Sequence, residues 1–164
     1  MDERSSPSQK SESEHPSQEG FRKILVGFDG SEHSTEALGV ACVLARKYDA
    51  GVVVVNVFSS PVYAAMGTMI PVAGMEAVEE TAKKRAEELV GKAVGIAKGE
   101  GAEVTGEVLK AASAVQAITE YALANDIDLI VLGTRGLTGF KRMLLGSVSS
   151  GVVTHAHCSV LVVR

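Results

Sequence analysis

The sequence predicts a doubly wound α/β sandwich: a five-stranded parallel sheet with helices on both faces. Three observations carry that prediction. Short Val-, Ile- and Leu-rich runs alternate with segments of helical periodicity, most of the runs are apolar at consecutive positions, and the segments joining them are too long for hairpins. Consecutive apolar positions suit strands covered on both sides. Long crossovers join parallel neighbours, with right-handed connections.

Lys23–Phe28 (KILVGF) reads as the first strand and Asp29-Gly30-Ser31 as its turn. Ala37, Leu38, Ala41, Cys42 and Ala45 then recur at helical spacing. Gly51–Phe58 (GVVVVNVF) is β-branched nearly throughout and forms a second, fully covered strand. The connection Ser59–Gly74, with Tyr63, Met66, Met69 and Ile70, has no regular period and is long for a compact domain. From Glu76 to about Lys98 the pattern is helical, with Val78, Ala82, Leu89, Ala93 and Ile96 toward the core. Glu79/Lys83 and Glu80/Lys84, each four apart, make a solvated face. Gly99 and Gly101 stop this helix, and Glu103–Leu109 (EVTGEVL) alternates as an edge strand does. Ser113 with Gln116 is a capping-box signature opening a helix through Val115, Ile118, Ala122 and Leu123 that ends near Asn125. Leu129–Leu132 (LIVL) is the fourth strand, Gly133–Gly146 a glycine-punctuated loop, Ser147–His155 a short helix and Val160–Val163 (VLVV) the fifth strand.

The chain's 164 residues, 46% of them apolar, suffice for one domain with a real core. Residues 1–20 stand apart. They hold six Ser, two Pro and no apolar residue but Met1, so they are expected to be a disordered polar tail, with the domain over 21–164. Of the net charge of −4, the tail carries −3: Arg4 and Lys10 against Asp2, Glu3, Glu12, Glu14 and Glu19. A near-neutral domain without Trp argues against a nucleic-acid coat, a basic membrane patch or a stacking platform for single strands. The N-terminus has no apolar targeting core and no stretch reaches the roughly 18 apolar residues of a spanning helix, which makes the cytoplasm the default compartment. Cys42 and Cys158 sit in apolar runs and read as buried reduced thiols. His155 and His157 lack further ligands nearby and read as exposed loop residues, and His33 reads as a helix-surface residue.

In doubly wound sheets, ligands bind at the carboxyl ends of strands where the strand order reverses. That directs attention to Gly27–Ser31, Asn56–Pro61 and Gly133–Ser149. Gly133 and Gly136 remove side chains where backbone amides would approach an anion, and Gly146-Ser147 opens a helix whose N-terminus attracts phosphate. Arg135, Lys141 and Arg142 supply positive charge in the same loop. The same residues also fit a plain turn and helix cap with Ser147 as N-cap. Asp29 is placed to accept hydrogen bonds from sugar hydroxyls, yet Asp-Gly-Ser before a helix is also ordinary turn chemistry.

Gly133, Gly136, Gly146 and Ser147 meet the pattern G-x2-G-x9-G-[S/T], which resembles the nucleotide-binding signature of the universal stress protein family. KILVGFDGSEHSTEAL is similar to that family's first strand and helix, and GSVSSGVVTHAHCSVLVVR to its last helix and strand. The resemblance covers most of residues 22–164. It implies an ATP-binding, usually dimeric, cytoplasmic protein with strand order 3-2-1-4-5. It also implies Asp29 at the ribose, Gly27 near the adenine, and Val57 meeting the adenine edge through its backbone. Gly133, Gly136, Gly146, Ser147, Val148 and Ser149 would hold the phosphates, with Arg135 beside them. The family often has prolines around the cysteine before the last strand, where this chain has His157 and Ser159.

An ATP-hydrolysing or phosphoryl-transferring enzyme is not expected. The chain has no P-loop G-x4-G-K-[S/T] and no kinase H-R-D triplet, and the acidic pair and late lysine of a receiver domain are missing. The expectation is a stress-response or signalling module that binds ATP, with slow or partner-dependent hydrolysis at most. Mg²⁺ would arrive with the nucleotide, since Asp29 is the one carboxylate on offer. A nucleotide-free interaction or chaperone-like module is the alternative. The Ser59–Gly74 segment is either a flap over the adenine or a second subunit, or a mobile surface loop. The apolar last strand, Val160 to Val163, would be an exposed edge in a monomer, and pairing two copies across a two-fold axis covers it.

Overall fold

The computed structural model describes residues 20–60, 75–136 and 145–164. The tail expected over 1–20, apart from Gly20, lies outside these residues, as do 61–74 of the long connection and Lys141 and Arg142. The described elements are β1 (Lys23–Gly27), α1 (Glu32–Tyr48), β2 (Gly51–Phe58), α2 (Met75–Gly99), β3 (Val104–Lys110), α3 (Ala114–Ala124), β4 (Leu129–Gly133), α4 (Ser147–His155) and β5 (Ser159–Val163). All pairings are parallel and the strand order is β3-β2-β1-β4-β5, the order that the family resemblance implies.

Side-chain alternation divides the core in two. Ile24, Val26, Val52, Val54 and Val131 point to one face and pack with Ala37, Leu38, Ala41 and Cys42 of α1 and Ala93 and Ala97 of α2. Leu25, Val53, Val55, Ile130 and Leu132 point to the other, under Ile118 and Ala122 of α3 and Val152 of α4. Both faces are covered, so the central strands show no polar alternation. The edge strands differ: β3 turns Thr105 and Glu107 to solvent, and β5 exposes Ser159.

The inward face of α2 differs from expectation. Its buried residues are Met75, Ala86, Val90, Ala93 and Ala97, while Val78 is 56% exposed. Continued toward the N-terminus, that stripe reaches Glu79, which accepts from the buried Ser60 hydroxyl and pairs with Lys110 at the end of β3. Lys83 pairs with Glu87, and of the two pairs anticipated only Glu80–Lys84 forms. Both cysteines are free; Cys42 is buried and Cys158 half-buried, and burial raises the pKa of each thiol.

Candidate functional site

Where β1 is flanked by β2 on one side and β4 on the other, the chain leaves the sheet in opposite directions. A cleft of about 570 Å³ opens there, at the carboxyl ends of the three strands. It lies within the roughly 300–1,000 Å³ typical of small-molecule sites.

All ten residues singled out from the sequence line this cleft. Gly27 and Asp29 come from the end of β1, Val57 from the end of β2, Gly133, Arg135 and Gly136 from the exit of β4, and Ser147, Val148 and Ser149 with Gly146 from the start of α4. The walls between them are apolar: Val55, Val57, Ile118 of α3 and Leu132. A slot of that kind accepts a flat, weakly polar group, with the polar groups gathered at its ends.

The polar ends are built by local rules. Asp29 accepts from the backbone N–H of Ser31 at 3.0 Å, an Asx-type turn that fixes its carboxylate two residues before the residue that caps α1. Ser31 is the N-cap of α1, accepting from Ser34 N–H. Across the cleft, the N-cap of α4 is Gly146 and not Ser147, so the helix opens without a side-chain cap. The first intrahelical bond runs from Ser150 N–H to Gly146 O at 2.9 Å, which leaves the N–H groups of Ser147, Val148 and Ser149 with no acceptor inside the helix. Gly146 N–H donates to Thr134 O, and Ser149 Oγ, itself buried, lies 3.1 Å from both Thr134 O and Gly146 O. These contacts clamp the helix start to the exit of β4. Positive dipole ends and unengaged amides at that point suit an anion.

The glycines have a further role that spacing does not show. A Cβ on Gly136 would lie 2.6 Å from Asp29 Oδ2, so a larger residue there would displace the carboxylate. A Cβ on Gly133 would strike the backbone of His33 at 2.7–2.8 Å, where α1 crosses the end of β4. His33 is therefore half-buried and not simply on the helix surface. Its Nδ1 has no hydrogen-bond partner and lies 3.5 Å from Glu36.

The comparisons with known proteins agree with this architecture. The sequence profile described as the Universal stress protein family matches residues 20–164. The chain belongs to that family. Universal stress protein MJ0531 of Methanocaldococcus jannaschii is 36% identical over 145 residues, 88% of this chain and 82% of that protein. Among solved structures, universal stress protein UspA from Lactobacillus plantarum is 24% identical, with a TM-score of 0.76 over 88% of this chain and 99% of that one. A universal stress protein crystallised in complex with cAMP is 25% identical, with a TM-score of 0.67 over 88% of this chain and 98% of the other.

Besides its apolar walls, this universal stress protein's cleft has two buried polar side chains that are not among those ten, Asn56 and Ser34. Asn56, buried within the valine run of β2, donates from Nδ2 to Phe28 O at 2.7 Å and so ties the carboxyl ends of β1 and β2 together. Its signal was a single polar residue inside an apolar strand. Ser34, buried in the first turn of α1, also lines the cleft, and nothing in its spacing marks it.

Proposed function

We propose that the protein binds ATP in the cleft between β1, β2 and β4, over a domain spanning residues 21–164, and acts as a nucleotide-dependent stress-response or signalling module. The observation that carries this reading is the convergence of both halves of the site on one cleft: a carboxylate at the end of β1 faces an uncapped helix start and a glycine turn, with an apolar slot between them. In this reading the base lies in the slot, against Val57 and near Gly27, and Asp29 accepts the ribose hydroxyls. Gly133, Gly136 and the amides of Gly146, Ser147, Val148 and Ser149 surround the phosphates, and the Arg135 guanidinium offsets their charge. The solved relative that holds cAMP supports an adenine nucleotide as the ligand.

Binding without rapid turnover fits the residues on hand. Among the described residues Asp29 is the carboxylate that lines the cleft, and in this reading the ribose hydroxyls engage it, so it is not left to take a proton from an attacking water. Mg²⁺ enters this reading only as the nucleotide's own counter-ion, because among the described residues no three His, Cys, Asp or Glu come together. The assembly we propose is a homodimer joined through β5, whose residues Val160 to Val163 are only half-buried.

One observation favours a second reading, a nucleotide-free interaction module: Gly133 is already required by its contact with His33, whatever the ligand. The two readings part on one experiment. Purified protein is denatured, its supernatant analysed for nucleotide, and the melting temperature measured with millimolar ATP. ATP at about 100 times its Kd stabilises by about 2.7 kcal/mol, a rise of roughly 5–10 °C for a chain of this size. No extracted nucleotide together with no rise rejects the first reading in favour of the second.

A further inference from the structure

We propose that Ser31 is a positioning residue that joins the two walls of the cleft, holding the Asp29 carboxylate at a fixed distance from the turn that follows β4. The inference rests on the nucleotide reading above.

Ser31 is the N-cap of α1, and its contacts go beyond a cap. Its N–H donates to Asp29 Oδ1 at 3.0 Å. Its hydroxyl accepts from Ser34 N–H at 3.2 Å and donates to Arg135 O at 3.4 Å, across 104 residues of sequence. Its carbonyl accepts from Thr35 N–H and from the hydroxyls of Ser34 and Thr35, all within 3.0 Å. The backbone of Ser31 is thus pinned by α1, its N–H sets the carboxylate, and its hydroxyl reaches the segment that carries Arg135 and Gly136. Gly136 in turn lies against the opposite carboxylate oxygen, Oδ2. Asp29 is held between Ser31 on one side and the turn that Ser31 anchors on the other. A ligand spanning a carboxylate and an anion site requires a set distance between them, and a misplacement of an ångström weakens both contacts.

A hydroxyl is suited to this double task because it accepts and donates at once. Glycine serves a helix start nearly as well as serine but has no hydroxyl, so Ser31→Gly separates bridging from capping. Ser31→Thr keeps the hydroxyl and serves as the rescue.

The test is ATP affinity by calorimetry and melting temperature without ligand, for the full chain and the variants Ser31→Gly, Ser31→Thr, Asp29→Asn and Ser31→Gly/Asp29→Asn. The expected result is about tenfold weaker ATP binding for Ser31→Gly at nearly unchanged melting temperature, and binding within about threefold of wild type for Ser31→Thr. The double variant should bind no more weakly than Asp29→Asn alone, because Ser31 acts through Asp29. Wild-type affinity in Ser31→Gly, or a Ser31 loss that adds in full to that of Asp29→Asn, overturns the proposal and leaves Ser31 as a cap. A wild-type chain that binds no ATP overturns the nucleotide reading itself, an outcome distinct from an unaffected variant.

Discussion

Two glycines of one motif do different work, and alanine at each should separate them. Gly136→Ala places a methyl group 2.6 Å from Asp29 Oδ2, a side-chain atom that can move aside. We expect loss of one charged hydrogen bond to the ligand, worth about 1.5–3 kcal/mol or roughly 10–100-fold in ATP affinity, with little change in the urea midpoint. Gly133→Ala instead drives a methyl group into the His33 backbone, which has no side-chain freedom to yield. Overpacking of that kind costs about 1–3 kcal/mol, so its urea midpoint should fall whether or not ATP is present. The motif was legible in the sequence because Gly133, Gly136, Gly146 and Ser147 stand at fixed spacing. The partners of its glycines were not, since Asp29 and His33 lie about a hundred residues earlier and only the fold brings them near. That Gly146 and not Ser147 caps α4 is hidden for a similar reason: the cap position depends on where the backbone enters the helix, and that backbone is held by Thr134.

At the scale of elements, helix and strand positions followed from periodicity to within a residue or two, and the error in α2 is instructive. Residues 79, 86, 90, 93 and 97 share one stripe, so Glu79 occupies a core-facing position. A helix of 25 residues is about 37 Å long, whereas the eight residues of β2 span about 26 Å. The helix overhangs the ends of its strands, and its inward face there meets Ser60 and Lys110 where a hydrophobic core would otherwise be. A charge at that position suits the local surroundings, and residue type alone cannot reveal it. Lys110 first and then Ser60 hold the Glu79 carboxyl below its ordinary value. A depressed carboxylate contributes stability above its unfolded-state pKa and loses it as pH falls through the folded one. Glu79→Gln should therefore be less stable than wild type at pH 7, with the gap closing as the solution is acidified through and below the usual carboxylate range. Urea titrations at a series of pH values give this directly; a gap that stays constant across that range would show that the carboxylate's charge is irrelevant.

For the whole molecule, the two-sided core explains how the fold class was visible: strands covered on both faces leave uninterrupted runs such as GVVVVNVF. Strand order was not in that pattern. Periodicity says that a strand is buried, not which neighbours bury it, and the order came through family resemblance. The same edge logic underlies the proposed dimer. Sedimentation at micromolar concentration should give twice the 17.1 kDa chain mass, and Val162→Lys on β5 should shift it toward one chain; a monomer at that concentration rejects the β5 interface. The position of β1, between its sequence neighbour β2 and the distant β4, has a consequence for biosynthesis. Ser31, beside one wall of the cleft, and Arg135, on the other, are 104 residues apart, so at about 5–20 residues per second they leave the ribosome roughly 5–20 seconds apart. Throughout that interval one edge of β1 waits unpaired, and no ligand of the cleft can protect it. Until then the chain has only β1, β2 and β3 to pair, and under the nucleotide reading a bound ligand can stabilise only the completed site.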